Sequence, residues 1–584
     1  PELFLYHARR VRAGFELDEQ TLTAIRQICQ AVAGVPLAIE LAAATIRQLT
    51  VAEVARQVKR DATALSGDAW GAPQRHHSIQ AAFDHSWDLM GPEERELFAR
   101  LSIFRGDFTL EAAQAVAAAT EERLQSLVDR RLLHEDGDNR YHLHELLRQY
   151  AAQKLAELAS EQDAVARRHM RYYAAVLASE PPGTPPARKA IGESLDNIRW
   201  AWDTAVRLSD FSLLIQMVLP LVIFYYGRRR WHEEAERRLS AAVTAVRARD
   251  DVDRPEVQRA LGNLTAWLGY FTEDEQAFFR LADEAVRMLR PFGEGRELAT
   301  ALSFRGDAAY GIRHAQSAVD DLLESRAIFD ELGDPVGLSA PLNSLCLVYG
   351  FLGDYEAAER YGRQCIELSD QIGLDKMSSM VRTHLSNAMR ARGEYERARV
   401  LATEALQLAE EIESAEHKIL SLLRLAQTAF YSGNYEEAED YLSTILDLPD
   451  LDEEQPVYQI QALALFGELY YIQDRFEAAN GYLTRALARA LELKTVEAMP
   501  PLLMVTAHVL EDDMPSTAVE ILALLRDHRR ADAEMKSEAA QRLKRLEGRL
   551  QSDVFETACS RGHNVDLEEL AQASLDLFLE ELAV

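Results

Sequence analysis

The sequence predicts an all-α protein in two parts. A run of short helices with one small β-hairpin, in winged-helix order, precedes a right-handed α-solenoid of helical pairs. Three observations predict it. Residues 132–143 place an Asp-Gly turn between two short stretches of alternating apolar residues, a hairpin signal that follows several helical segments. Residues 180–186 hold Pro181, Pro182, Pro185 and Pro186, a break that no helix interior accommodates because proline lacks the amide proton. Beyond it, Ala318, Ala358, Ala398, Ala438, Ala479 and Ala518 recur at steps of 40, 40, 40, 41 and 39 residues, the signature of stacked repeats.

In chain order, helical segments are predicted at about 78–89, 93–103, 109–117 and 121–131. The second opens with Gly91-Pro92-Glu93-Glu94, where proline and early acids suit a helix N-terminus. In the array the same turn returns as Gly353-Asp354-Tyr355, Gly393-Glu394-Tyr395 and Gly433-Asn434-Tyr435. Gly467, Tyr470, Phe476, Ala479, Leu483 and Ala486 show the packing logic. Small residues let paired helices approach, and the aromatic at the turn is expected to fill the gap beside them. Cys346 and Cys365 occupy two small positions of one repeat and are expected to be neighbouring core thiols. Weaker units lie around 306–325 and 231–239, and the acidic stretch 447–454 reads as an extended loop. The divisions expected are 1–75 (helical subdomain), 76–160 (winged helix), 161–240 (linker helix, Pro-rich hinge and first repeats), 241–535 (repeats) and 536–584 (capping helices).

Composition narrows the function. The 584 residues carry 64 Lys plus Arg against 95 Asp plus Glu, a net charge of −31, which argues against a broad phosphate-binding surface. Four scattered cysteines offer neither a disulfide framework nor zinc spacing, so a reducing, cytoplasmic setting is expected. The most apolar run, 211–226, is shorter than the roughly 20 residues a bilayer requires and contains Pro220; it reads as a buried helix. The chain opens Pro1-Glu2-Leu3-Phe4, the look of a piece of a longer protein.

Three stretches carry a family resemblance. Residues 28–43, with Gly34-Val35-Pro36-Leu37-Ala38-Ile39-Glu40-Leu41-Ala42-Ala43, are similar to a "GLPLAIELAA" segment; 76–89 and 97–104 are similar to the start of a winged-helix subdomain; Leu143-His144-Glu145 is similar to an "MHD" segment. Together they resemble the C-terminal half of the nucleotide-binding module of STAND-class signalling ATPases, the NB-ARC type of bacterial regulators and immune receptors. The tail, with Gly562 and 567–571, resembles bacterial regulators that couple this ATPase to a sensor. The 40-residue units resemble tetratricopeptide repeats, whose usual period is 34, so longer helices or turns are expected.

The resemblance implies that Pro36 and Leu37 lie near the base or ribose of a bound nucleotide, and that His144 faces the β-phosphate of ADP. Leu143 and Glu145 stand where the family often has Met and Asp. ADP or ATP with Mg is implied only for a full-length protein, because no G-x-x-x-x-G-K-[ST] loop occurs here to cradle phosphates. Hydrolysis by this chain alone is therefore not expected. His142-x-His144-Glu145 lacks a third metal ligand in recognisable spacing. The candidate recognition segment 121–131 has acids where base-reading side chains would sit, against direct DNA binding.

Arg228, Arg229, Arg230 and Trp231 open the densest basic patch of the array. It is either a solvated, salt-bridged face or a docking place for an acidic ligand or another domain. The function expected is the sensing half of a nucleotide switch, the array taking a protein, peptide or small-molecule inducer, with possible oligomerisation on activation. The alternatives are a transcriptional regulator whose DNA-binding domain lies elsewhere, a nucleotide-independent scaffold, and a defence receptor.

Overall fold

The computed structural model describes residues 1–12, 15–31, 36–47, 49–56, 83–84, 86–136, 139–180, 184–225, 229–272, 274–312, 314–448 and 455–582. It forms two compact units, Pro1–Phe224 and Tyr225–Val584.

The first unit begins with helices Glu2–Val11, Glu19–Ala31 and Pro36–Ala44. Phe4 and Ala8 share one face at i, i+4 spacing and pack with Ile25, Ile28, Ile39 and Ala43. The winged helix follows. Its helices span Pro92–Leu101, Leu110–Ala117 and Glu121–Asp129, close to the predicted 93–103, 109–117 and 121–131. Pro92 opens the first, where the Glu94 carboxylate accepts the Gly91 N–H at 3.0 Å; Thr109 and Thr120 cap the other two. The hairpin is β2 (His134–Asp136) and β3 (Arg140–His142); its turn residues 137–138 and half of the predicted 78–89 helix, 78–82 and 85, lie outside the described residues.

A further strand, β1 (Phe108–Thr109), pairs antiparallel with β3, giving the order β1-β3-β2. Two residues show no alternation to read, so β1 is invisible in the sequence; it is held because Phe108 stacks on Phe104 at 4.2 Å and faces Tyr141. Helix Ala159–Leu177 ends before the Pro-rich break, and Thr184 caps the next helix, Pro185–Glu193. Helix Leu195–Leu208 supplies Asn197, which ties this half together. Its Oδ1 accepts from Arg105 N–H at 2.7 Å and meets His169 Nε2 at 3.2 Å, and its Nδ2 donates to the Asp107 carbonyl. Burial of His169 pushes its pKa down to about 3, keeping the ring neutral.

In the second unit, helix Arg229–Arg247 precedes pairs running from Pro255–Tyr270 and Glu275–Leu289 to Met499–Leu510 and Pro515–Asp527. Helices Ala533–Glu547, Ser552–Gly562 and Leu567–Leu582 close it. The borders expected after 240 and 535 thus fall inside continuous helices, because no Gly or Pro interrupts the helical pattern at either place.

All six periodic alanines are fully buried. The excess over a 34-residue period lies in the helices: Asp375–Ala391, Tyr395–Glu411 and Ala415–Tyr431 are each 17 residues long. A Cβ on Gly306 would sit 2.7 Å from Leu322 Cγ, and one on Gly467 2.6 Å from Leu483 Cγ. Leucines of the second helix therefore fill the space beside the small residues. Of the turn aromatics, Tyr355 and Tyr435 pack against the cores of their repeats, whereas Phe476 stays 53% exposed against Tyr471.

Each turn closes alike, with Asp354 N–H on Tyr349 O, Glu394 on Met389, Asn434 on Ala429 and Arg475 on Tyr470. Gly353, Gly393 and Gly433 take φ of 80°, 87° and 84° there, and Asp474 takes 59° in the following repeat. Cys346 and Cys365 share one buried core as free thiols, and burial raises the Cys365 pKa to about 12. Helix Pro335–Leu352 is long and apolar enough to span a bilayer by composition, yet its Leu342, Leu345, Cys346 and Val348 are buried among neighbouring helices. The predicted loop lies almost wholly outside the described residues, in 449–454.

Candidate functional site

His144 is the N-cap of helix Glu145–Ala156. Its Nδ1 accepts the Leu146 N–H at 3.3 Å, which leaves the proton of the half-buried ring on Nε2. Beside it lies a cleft of about 400 Å³ lined by Arg105, His142, Leu143, Glu145, Arg148 and Trp200 among others. Arg148 grips Glu145 through two 2.7 Å bonds, holding that carboxyl down at about 2. Arg105 lies 4.1 Å from the Trp200 ring centroid, and burial lowers its pKa to about 10. His142 meets Asp107 at 3.0 Å rather than joining His144.

Pro36 is exposed at the first position of its helix, with Leu37 next; residues 32–35 lie outside the described set. Arg228 lies outside it too, and Arg229, Arg230 and Trp231 open the Arg229–Arg247 helix. Further along that helix Arg238 pairs with Glu234 at 2.8 Å. In the winged helix, Arg123 pairs with Glu93 at 2.5 Å and Arg130 with Glu94 at 3.4 Å. The basic side chains of the would-be recognition segment are thus engaged with neighbouring acids.

A second cluster, missed by sequence reasoning, lines the inner face of the array. The residue after each small position of the first helices reads Asp307, Leu347, Asn387, Gln427, Glu468 and His508. Asn387 Oδ1 accepts from Arg390 at 3.2 and 3.3 Å, Gln427 Oε1 from Arg424 at 2.7 Å, and Glu468 meets His508 at 3.0 Å. Arg390 is held bidentately by Glu534 at 2.9 and 2.7 Å, and Arg530 by Glu275, so the segment entering Ala533–Glu547 reaches two distant repeats. Burial raises the Asp307 carboxyl to about 7 and lowers His384 to about 3. The signal was available: a polar residue follows the small one in five of these six repeats, Leu347 being the exception.

Comparisons with known proteins give the same two parts. A winged helix-turn-helix domain matches residues 90–156 and a tetratricopeptide repeat matches 377–449. A STAND protein with a tetratricopeptide repeat sensor, from Pyrococcus horikoshii, superposes with a TM-score of 0.53 at 16% identity, covering 96% of this chain and 74% of that one. The chain combines a winged helix-turn-helix domain with tetratricopeptide repeats, a fold it shares with that STAND protein.

A Mycobacterium tuberculosis (strain H37Rv) protein named as an HTH-type transcriptional regulator is 30% identical over 457 residues, 74% of this chain and 50% of its own length. The regulatory protein AfsR of Streptomyces coelicolor is 30% identical over 189 residues, 29% of this chain and 19% of its own. The chain thus spans about half the length of the first of these relatives. The small residues, periodic alanines and inner polar column are in these terms the packing and lining positions of tetratricopeptide units.

Proposed function

We propose that this chain is the sensing and control half of a STAND-type nucleotide switch. The tetratricopeptide array takes an inducer or partner protein, and the winged helix reports its presence to a nucleotide-binding domain carried elsewhere. ATP hydrolysis belongs to that domain, since the phosphate-cradling loop is absent from these residues.

The observation that carries the reading is the His144 cap. With Nδ1 committed to Leu146, Nε2–H is a donor held at a helix N-terminus, where the peptide dipoles also favour an anion. Those features fit the β-phosphate of ADP, with Pro36 and Leu37 toward the nucleoside. The bound nucleotide supplies the switch; His144 supplies one donor that distinguishes the resting state.

The test is His144→Ala in the full-length protein. Release of a fluorescent ADP analogue should quicken about tenfold, about 1.4 kcal/mol of lost interaction; unchanged release and unchanged copurified ADP would remove His144 from the switch. The names of the mycobacterial and Streptomyces relatives favour transcription as the output. Base reading then falls to a DNA-binding domain outside this chain, because the basic side chains of Glu121–Asp129 and its end are paired with acids.

A further inference from the structure

We infer that residues 528–534, which link helices Pro515–Asp527 and Ala533–Glu547, form an ionic strap across the turns of the tetratricopeptide array. The strap holds the array at one tight pitch, and its release is the step by which the array signals. The inference rests on the sensor reading above and names how that sensor is held at rest.

In a stack of repeats each unit touches its neighbours, so a contact that skips units constrains the pitch of the stack. The link makes three such contacts. Arg530 reaches back 255 residues to grip Glu275, at 3.3 and 2.6 Å. Glu534 grips Arg390 at 2.9 and 2.7 Å from 144 residues away. Between them lies Ala533, whose methyl would stand 2.9 Å from a Cβ built on Gly353. All three anchors lie where a first helix turns into its second: Glu275 opens a second helix, Gly353 follows the end of a first helix, and Arg390 nearly ends another. Local bonds shape the link itself. His528 Nδ1 accepts the Arg530 N–H at 3.2 Å, and Asp532 caps the following helix through the Met535 N–H at 2.8 Å.

The chemistry of these anchors separates the strap from the core. The apolar cluster that seats the last helices takes its members from Leu446 to Phe578, whereas the attachments to Glu275 and Arg390 are charged. Parting them exposes little apolar surface, so the hydrophobic term that holds neighbouring repeats together does not oppose it. The two carboxylates remain 28% and 29% exposed, within reach of competing ions.

Each separated group keeps a favourable place. Glu275 and Glu534 both lie in the first turn of a helix, where the peptide dipoles favour an acid. Arg390 retains Asn387 Oδ1 at 3.2 and 3.3 Å and the Tyr431 ring at 4.6 Å, and it gains water once its cover lifts. Substituting Glu534 alone leaves that cover over a guanidinium without its counter-charge; lifting the strap does not. The array therefore has two satisfied arrangements, the requirement for a switching element.

Small-angle X-ray scattering of the 584-residue chain reads the pitch. Its radius of gyration should rise between about 0.1 M and about 1 M NaCl, as the screening length falls from about 10 to about 3 Å. This series needs no substitution, and unchanged circular dichroism across it marks opening rather than unfolding. At low salt Arg530→Glu, which sets two carboxylates against each other, should open the chain. Arg530→Glu combined with Glu275→Arg should restore the compact value. In the full-length protein, Arg530→Glu should release a fluorescent ADP analogue about tenfold faster, within the usual range of allosteric coupling, and the double variant should return to slow release.

A radius of gyration that neither salt nor Arg530→Glu moves overturns the strap. A double variant that stays open also overturns it, because charge pairing is then not what closes the array. A chain that opens while ADP release keeps its wild-type rate overturns the strap's part in signalling. None of these results touches the nucleotide reading, which stands or falls on His144→Ala.

Discussion

Asp307 carries a pH signature at the scale of a single residue. Burial raises its carboxyl from 3.8 to about 7, only partly opposed by the Ser344 hydroxyl. A carboxyl whose folded pKa exceeds its unfolded one binds its proton more tightly when folded. Its contribution to stability is therefore present in acid, lost as pH rises from about 4 to 7, and absent above. Asp307→Asn should gain about 4 kcal/mol on the wild type between pH 4 and pH 8 in urea titrations. A pH-independent difference would mean that the folded carboxyl is ionised throughout.

His144 and Arg424 show what can be read at this scale. His144 was legible because it sits in a motif of similar sequences, although the cap that orders its ring depends on the turn between β3 and the following helix. Arg424 was not legible. Which acids come near it is settled by segments far away in sequence, as Asp532 does here and as Glu534 reaches Arg390.

At the scale of the helical pair, two glycines of neighbouring helices should behave oppositely. Gly467→Ala forces a methyl to 2.6 Å from Leu483 Cγ, the branch point rather than a flexible tip, and should cost about 1–3 kcal/mol. Gly481, on Phe476–Leu493, has nothing within 4 Å of a built Cβ, so Gly481→Ala should stabilise by roughly 0.5–1 kcal/mol through helix propensity. Urea midpoints of the two variants check both signs. If both variants destabilise alike, close packing is not why Gly467 is small.

The helical pairs were legible because repetition averages out local ambiguity: six alanines in register outweigh any one residue's propensity. Strand β1 was not, since two residues become a strand only when β3 lies beside them. Phe476 was misread for a related reason. Spacing places Phe476 at the turn, but the direction of its side chain follows from how far the second helix has wound when it starts, and Leu483 two turns later faces the gap instead.

Within the second unit as a whole, two long-range ion pairs tie the entry to the last helices, Arg530–Glu275 and Arg390–Glu534. Arg390, with its side chain only 8% exposed, is held by Glu534 from 144 residues away. Removing the acid strands a buried guanidinium, a penalty of about 3–5 kcal/mol. Glu534→Gln should therefore accelerate amide hydrogen exchange in Ala533–Glu547 well above that in Asp375–Ala391. Equal acceleration in both helices would show instead that the pair stabilises the array globally.

The sequence by itself determined the helical class, the repeat length, the winged-helix order and the lack of a phosphate-cradling loop. Each of these is written in local spacing or in the presence of a residue type, which no distant contact can alter. Only the tertiary structure decided which arginines pair with distant acids, which carboxyl holds a proton near neutral pH and where the last helices dock. Those properties are balances between desolvation and partners supplied from other helices, and the balance exists only once the chain has brought them together.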